Sequence, residues 1–221
     1  MNTARLSRAL KALAYPQQNE CHLCSRALEA GDGCLCAACA ARLNAGRIPR
    51  QDAFAPHAPL FACLSAYYHD GEARRLCHLL KYQGDAMAAL PLAEGMSHAL
   101  ACAGFAADIA VPVPLHPSRQ LERGYNQAAL LAREVCGHTG LPLCECALRR
   151  VSRTRTQLSR TRGARLEAMR GAFAADAALV AGQTVLLVDD VLTTGATAVA
   201  CAGALLQGGA ARVALITACR A

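Results

Sequence analysis

The chain has 221 residues, of which 54% are hydrophobic and 18% charged, a balance that excludes a disordered polypeptide and leaves room for one ordinary domain plus a small module. Aromatics make up 4% and Trp is absent, so the core has to be built mainly from Ala, Leu and Val. A net charge of +7 points to an anionic partner, and thirteen cysteines pose a choice between a disulfide scaffold and a metal-binding intracellular protein.

Near the start, Leu6, Leu10 and Leu13 recur at helical spacing, which predicts one short amphipathic helix. Arg5, Arg8 and Lys11 interrupt every apolar run there, so no secretory leader is expected. Next come two CxxC knuckles, Cys21–Cys24 and Cys36–Cys39. Each can present two thiolates to one ion, and together they predict a closed, structural four-cysteine zinc site. Cys34 could replace Cys36 or Cys39, although it forms no CxxC with either. His22 lies between two better ligands and is expected to stay outside the shell. The other eight cysteines are scattered and read as small buried hydrophobes. Residues 44–59, with three prolines, read as a linker. The expected division is therefore a helix, zinc module and linker over 1–55, then a larger domain over 56–221.

Beyond the linker the signals alternate. Residues 61–69 are strand-like, 72–82 helical with Leu76, Leu79 and Leu80 on one face, and 87–102 helical again. Residues 108–114 form a short strand ended by prolines, 127–136 a helix, 184–190 a buried strand, 196–207 a helix and 211–219 a strand. Apolar strands alternating with helices predict an α/β fold with a parallel sheet. Residues 191–211 carry no charge over 21 positions, about the length of a membrane span. Thr193, Thr194, Thr197, Gln207 and four glycines interrupt that stretch, so it reads as a loop and buried helix of a soluble protein. A cytoplasmic location follows, where thiols stay reduced.

The charge is not evenly spread. Residues 116–173 carry eleven Lys/Arg against four Asp/Glu, which equals the net charge of the whole chain. Within them, residues 149–170 hold eight arginines and one acid, Glu167.

The most informative segment is VLLVDDVLTTGAT, residues 185–197. A buried strand delivers Asp189 and Asp190 to its C-terminal end, the edge where open α/β sheets bind ligands. Thr193, Thr194, Gly195, Ala196 and Thr197 then turn into a helix. A Gly turn at a helix N-terminus offers free N–H groups and a positive dipole end to a phosphate. Carboxylates beside it can accept hydrogen bonds from sugar hydroxyls. This run resembles the phosphoribosyl pyrophosphate motif of type I phosphoribosyltransferases. The resemblance implies that Asp189 and Asp190 hold the ribose hydroxyls and that residues 193–197 hold the 5′-phosphate. Purine-salvage members have a third acid where this chain has Thr193, which argues against a hypoxanthine-guanine enzyme.

Residues 111–127, VPVPLHPSRQLERGYNQ, follow a strand with a proline-fixed turn. In type I phosphoribosyltransferases the matching loop receives pyrophosphate, with His116, Arg119 and Arg123 as suitable donors. His116 alone reads equally well as a turn histidine. PVPLHPSR with RGYNQ, the basic stretch 149–173, LLKYQG (79–84) and the CxxC knuckles together resemble the ComF family over roughly residues 19 to 219. LLKYQG has no chemistry readable from sequence. RTRTQLSRTRGAR resembles the mobile loop of glutamine-dependent amidophosphoribosyltransferases, which implies catalytic roles for Arg155, Gln157 and Arg162, with Arg165 beside them. The family implies structural zinc, Mg²⁺ with phosphoribosyl pyrophosphate, and a link to uptake of single-stranded DNA. The arginine stretch suits a DNA backbone on charge alone. It has no aromatic residue before Phe173 on which bases could stack, so an anion-binding loop is favoured over a DNA groove. A regulator that binds phosphoribosyl pyrophosphate without turnover is the third reading.

Overall fold

The computed structural model describes residues 20–28, 33–49, 59–151 and 171–221. Their elements are α1 (Ala37–Ala45), β1 (Ala62–Tyr68), α2 (Gly71–Tyr82), a 3₁₀ turn (Ala86–Ala88), α3 (Ala89–Cys102), β2 (Ile109–Pro112), α4 (Pro117–Arg123), α5 (Gln127–Thr139), β3 (Leu148–Arg150), β4 (Phe173–Ala175), α6 (Ala177–Val180), β5 (Thr184–Leu192), α7 (Ala196–Gln207) and β6 (Arg212–Arg220). The predicted N-terminal helix lies outside the described residues.

Four strands form a parallel sheet in the order β1-β6-β5-β2. The predicted parallel α/β architecture is what the chain adopts. Val185 to Val188 and Val213 to Ile216 are all 0% exposed, because β5 and β6 are central strands covered on both faces. Leu186, Val188, Ala214 and Ile216 pack against α2, α3 and α5 through Leu76, Leu92 and Leu131. Val185, Leu187, Val213 and Leu215 pack on α7 through Cys201, Ala202 and Leu205. Strand alternation thus sorts one apolar run onto two cores. Helix α3 lies close to β1 because Gly95 has no side chain. A Cβ there would run into the Tyr67 ring.

The cysteine module is not a detached appendage. Cys21, Leu23, Leu35 and Leu43 belong to the same core as Leu76, Leu80 and Met96. Arg42 Nε donates to Glu72 at 2.6 Å, His22 Nδ1 meets Asp85 at 2.5 Å, and Arg75 Nη2 donates to the Leu23 carbonyl. The first residues of the linker expected over 44–59 are built into the fold: Asn44 and Ala45 finish α1, Arg47 bridges to Tyr67, and the Ile48 N–H donates to the Ala66 carbonyl. Residues 50–58 lie outside the described residues.

Five elements have no counterpart in the sequence reading: α1, α4, β3, β4 and the single turn α6. Helix α4 has no buried residue; Pro117 at its start, the His116 cap and left-handed Gly124 at φ 77° set its limits. The antiparallel pair β3–β4 packs against α7. Helix α1 starts at the second knuckle, with Cys36 as its N-cap. Among the described residues no helix is long and apolar enough to cross a membrane.

Candidate functional site

Strand β5 carries Asp189 and Asp190, both partly buried, near its C-terminal end, and stops two residues later at Leu192. Alternation sends the two carboxylates to opposite faces of the sheet edge. On one face Asp190 Oδ1 meets Lys81 Nζ of α2 at 3.0 Å. Burial alone would lower the Lys81 pKa, but the Asp190 and Asp189 charges leave it above its ordinary value. On the other face Asp189 lies near the buried Cys201 thiol of α7, which burial first and Asp189 second push well up. Burial, and then the Asp190 carboxylate, push Asp189 itself up to about 7.

Gly195 initiates α7 with φ 76°, a left-handed conformation that favours glycine. The first-turn N–H groups of α7 have no acceptor within the helix. Thr194 Oγ1 lies 3.5 Å from the Ala196 N–H, while Thr193 is exposed and Thr197 partly so. Asp189, Asp190, Thr193, Thr194, Gly195, Ala196 and Thr197 are therefore gathered at one sheet edge, with N–H donors beside carboxylates.

The 111–127 segment reaches the same neighbourhood. His116 caps α4: its Nδ1 accepts from the Ser118 N–H at 3.2 Å and contacts Ser118 Oγ at 2.7 Å, which leaves Nε2 to carry the ring hydrogen. Arg123 Nη1 donates to Gln127 Oε1 at 3.0 Å, and its guanidinium lies 5.3 Å from the Tyr82 ring centre. Arg119 is exposed. Tyr125 donates from its hydroxyl to the Leu80 carbonyl at 2.8 Å, and Asn126 both caps α5 and donates to the Val113 carbonyl at 3.0 Å. LLKYQG and RGYNQ are thus one packed unit, and Lys81 is a candidate-site residue to which sequence reasoning gave no role.

Lys81→Met should strand the Asp190 charge at a mostly buried position. A loss of about 3 kcal/mol is expected, the low end for breaking a buried pair. Urea unfolding reads it as a lower midpoint at unchanged slope. An unaltered midpoint would show that the pair does not hold α2 to the sheet edge.

Arg155, Gln157, Arg162 and Arg165 lie outside the described residues. Their flanks do not. Arg150 pairs with Phe173, and the Val151 N–H donates to the Ala172 carbonyl at 2.9 Å, so the two ends of the arginine stretch lie side by side. Arg150, like Asp189, acts on Cys201, which places the base of that stretch on the α7 side of the acid pair.

The sulfur atoms of Cys21, Cys24, Cys36 and Cys39 all lie within 4.8 Å of one another, and those of Cys24 and Cys36 are 3.7 Å apart. Two thiolates about 2.3 Å from one tetrahedral ion stand about 3.8 Å apart, so the set fits one metal ion. Cys36 and Cys39 sit at the α1 N-terminus, Cys36 as its N-cap. Burial would raise Cys21, but N–H groups of Cys36, Leu23 and Cys24 outweigh it and hold it at about 6. Cys34 is turned away, its thiol donating to the Met87 carbonyl at 3.4 Å, and His22 is engaged by Asp85. The reading of the scattered cysteines as buried packing needs correction. Cys102 and Cys146 are exposed, because they fall at a helix end and in a turn.

Residues 121–221 match the family model described as phosphoribosyl transferase domain. Competence protein F of Haemophilus influenzae is 38% identical over 89 residues, covering 39% of this chain and 39% of that one. The DNA utilization protein YhgH of Escherichia coli (strain K12) is 30% identical over 214 residues, covering 94% of this chain and 93% of that one. The match thus spans well under half of competence protein F but nearly all of YhgH. The solved glutamine phosphoribosylpyrophosphate amidotransferase from B. subtilis, complexed with ADP and GMP, is 21% identical with a TM-score of 0.43, over 61% of this chain and 26% of that one.

Proposed function

The chain belongs to the family of the DNA utilization protein YhgH and competence protein F, and on that premise we propose that it binds phosphoribosyl pyrophosphate and serves the use of external DNA. The observation that carries this reading is the position of VDDVLTTGAT: acids at the C-terminal end of β5, then a left-handed Gly195 opening α7. The first turn of α7, with the threonine hydroxyls, receives the 5′-phosphate. Asp189 and Asp190 accept hydrogen bonds from the ribose hydroxyls. Lys81 holds Asp190 in place, and the His116 Nε2–H with Arg119 and Arg123 faces the diphosphate. Bound Mg²⁺ neutralises the diphosphate as part of the substrate. Zn²⁺ is the ion for the four-cysteine set, whose closed thiolate shell makes it structural.

Transfer of the phosphoribosyl group is the reaction this site supports. The donors are preset where charge collects as pyrophosphate leaves, and catalysis is positioning and electrostatics. Arg155, Gln157 and Arg162 are our candidates for closing over the diphosphate.

Calorimetric titration with phosphoribosyl pyrophosphate and Mg²⁺ tests the site. Wild type should bind, and Asp189→Ala with Asp190→Ala should lose binding beyond detection. Retained affinity in that double variant would overturn the assignment. A screen of nucleobases and amines for pyrophosphate release then separates an enzyme from a regulator.

A further inference from the structure

Two of the scattered cysteines meet a histidine at the sheet edge near Asp190. Cys77 of α2 and Cys219 of β6 bring their sulfur atoms to 3.5 Å. A ring nitrogen of His69, just past β1, completes a set whose ligand atoms all lie within 4.8 Å of one another. The topology assembles them from three distant stretches. Tyr67 is in register with Cys219, and the His69 N–H donates to the Arg220 carbonyl at 2.8 Å. The chain then turns into α2 and lays Cys77 back against the sheet.

Both thiols are shut off from water, Cys77 at 1% and Cys219 at 0% exposure. His69 Nδ1 is buried and has no hydrogen-bond partner. Thiol packing accounts for the sulfur contact but not for that nitrogen, which has given up its bonds to water without gaining a partner. The sulfur separation is also far from a disulfide, which needs about 2.05 Å. It is close to the edge of a thiolate tetrahedron around one ion, about 3.8 Å.

We propose that His69, Cys77 and Cys219 form a second metal site, separate from the four-cysteine cluster, for a thiophilic divalent ion such as Zn²⁺ with one coordination position open. Two thiolates and an imidazole select borderline and soft ions over Mg²⁺ or Ca²⁺, which prefer oxygen. Cys77 lies one helical turn from Lys81, so an ion here braces the stretch of α2 that holds Asp190.

Metal analysis of the full chain tests this. Wild type saturated with Zn²⁺ and dialysed against metal-free buffer should retain two ions per chain, and Cys77→Ser one. Cys77 is fully buried, so His69→Ala serves as the milder variant and should also retain one, with an unchanged circular dichroism spectrum. Titration of the metal-free wild-type chain with Co²⁺ adds a readout that needs no variant. Its sulfur-to-metal absorption should rise in two stages, from four thiolates and from two. One retained ion in wild type, two in His69→Ala, or a Cys77–Cys219 disulfide in the freshly purified chain would each overturn the proposal.

Discussion

Asp189→Asn should stabilise the folded chain at pH 8, by on the order of 3 kcal/mol, and the gain should fade as the pH drops toward 4. Burial and the neighbouring Asp190 carboxylate hold Asp189 at about 7, against smaller opposing effects of the Asp190 N–H and Lys81. An aspartate in the unfolded chain titrates near 3.9, at about that value. The folded value is thus the higher one, and the folded chain binds this proton more tightly than the unfolded chain does. That contribution is complete below the unfolded value and is lost as pH rises through about 7. At pH 8 the folded chain holds a poorly solvated charge beside a second one. The gap corresponds to about 4 kcal/mol in full, and partial exposure of the residue trims it to about 3. Asparagine keeps the shape and the hydrogen bond while removing the titration. Urea midpoints of both chains at pH 5 and pH 8 measure the effect. A gain that is equal at the two pH values would show that Asp189 is not the group responsible. On the proposed reading the same substitution should also weaken sugar-diphosphate binding, since the amide has one acceptor oxygen where the carboxylate has two.

How far the sequence could be read depends on where each signal lies along the chain. Strands β1, β2, β5 and β6 were legible to within two or three residues, because each is an apolar run bounded by prolines, glycines or acids. Helix α5 outlasts its apolar face by one turn and stops only at left-handed Gly140. Helix α4 was not legible as periodicity, since nothing on it is buried and only its caps define it. Strands β3 and β4 are three residues each, too short to show alternation, and they pair across the arginine stretch. The acid pair and the Thr-Gly turn are contiguous, so their placement near the end of β5 and at the start of α7 was readable in one line of sequence. Lys81 was not, because it lies on helix α2 and its partner Asp190 on the distant strand β5, and only the fold joins them. The same holds for Cys77 and Cys219, which look like unrelated small hydrophobes until β6 brings them together. Contacts made by the order of strands leave no local trace in a sequence.

Cys39→Ser should remove the metal from the four-cysteine cluster and cost more than the module can absorb. Structural metal binding in small thiolate modules contributes about 10–16 kcal/mol, comparable to the whole stability of a typical domain at about 5–15 kcal/mol. Little else in residues 20–28 and 33–49 can replace it, because the one helix among these described residues is α1, of 9 residues. Its core residues, Leu23, Leu35 and Leu43, share one buried core with Leu76 and Leu80 of α2. The damage should therefore pass from the module into α2. Glu72 would lose its Arg42 partner, Asp85 its His22 partner, and the helix that presents Lys81 would lose its outer cover. Hydrogen exchange of the metal-free variant should show protection lost over 20–49 and reduced over 71–82. It should be kept in β5, whose neighbours are β2 and β6 and whose other face is covered by α7. On the proposed reading the variant should also bind phosphoribosyl pyrophosphate more weakly, although none of the residues proposed for the sugar site belongs to the described part of the module. Exchange over 71–82 that matches wild type, with the metal gone, would show that the module folds on its own account and leaves the sheet edge untouched.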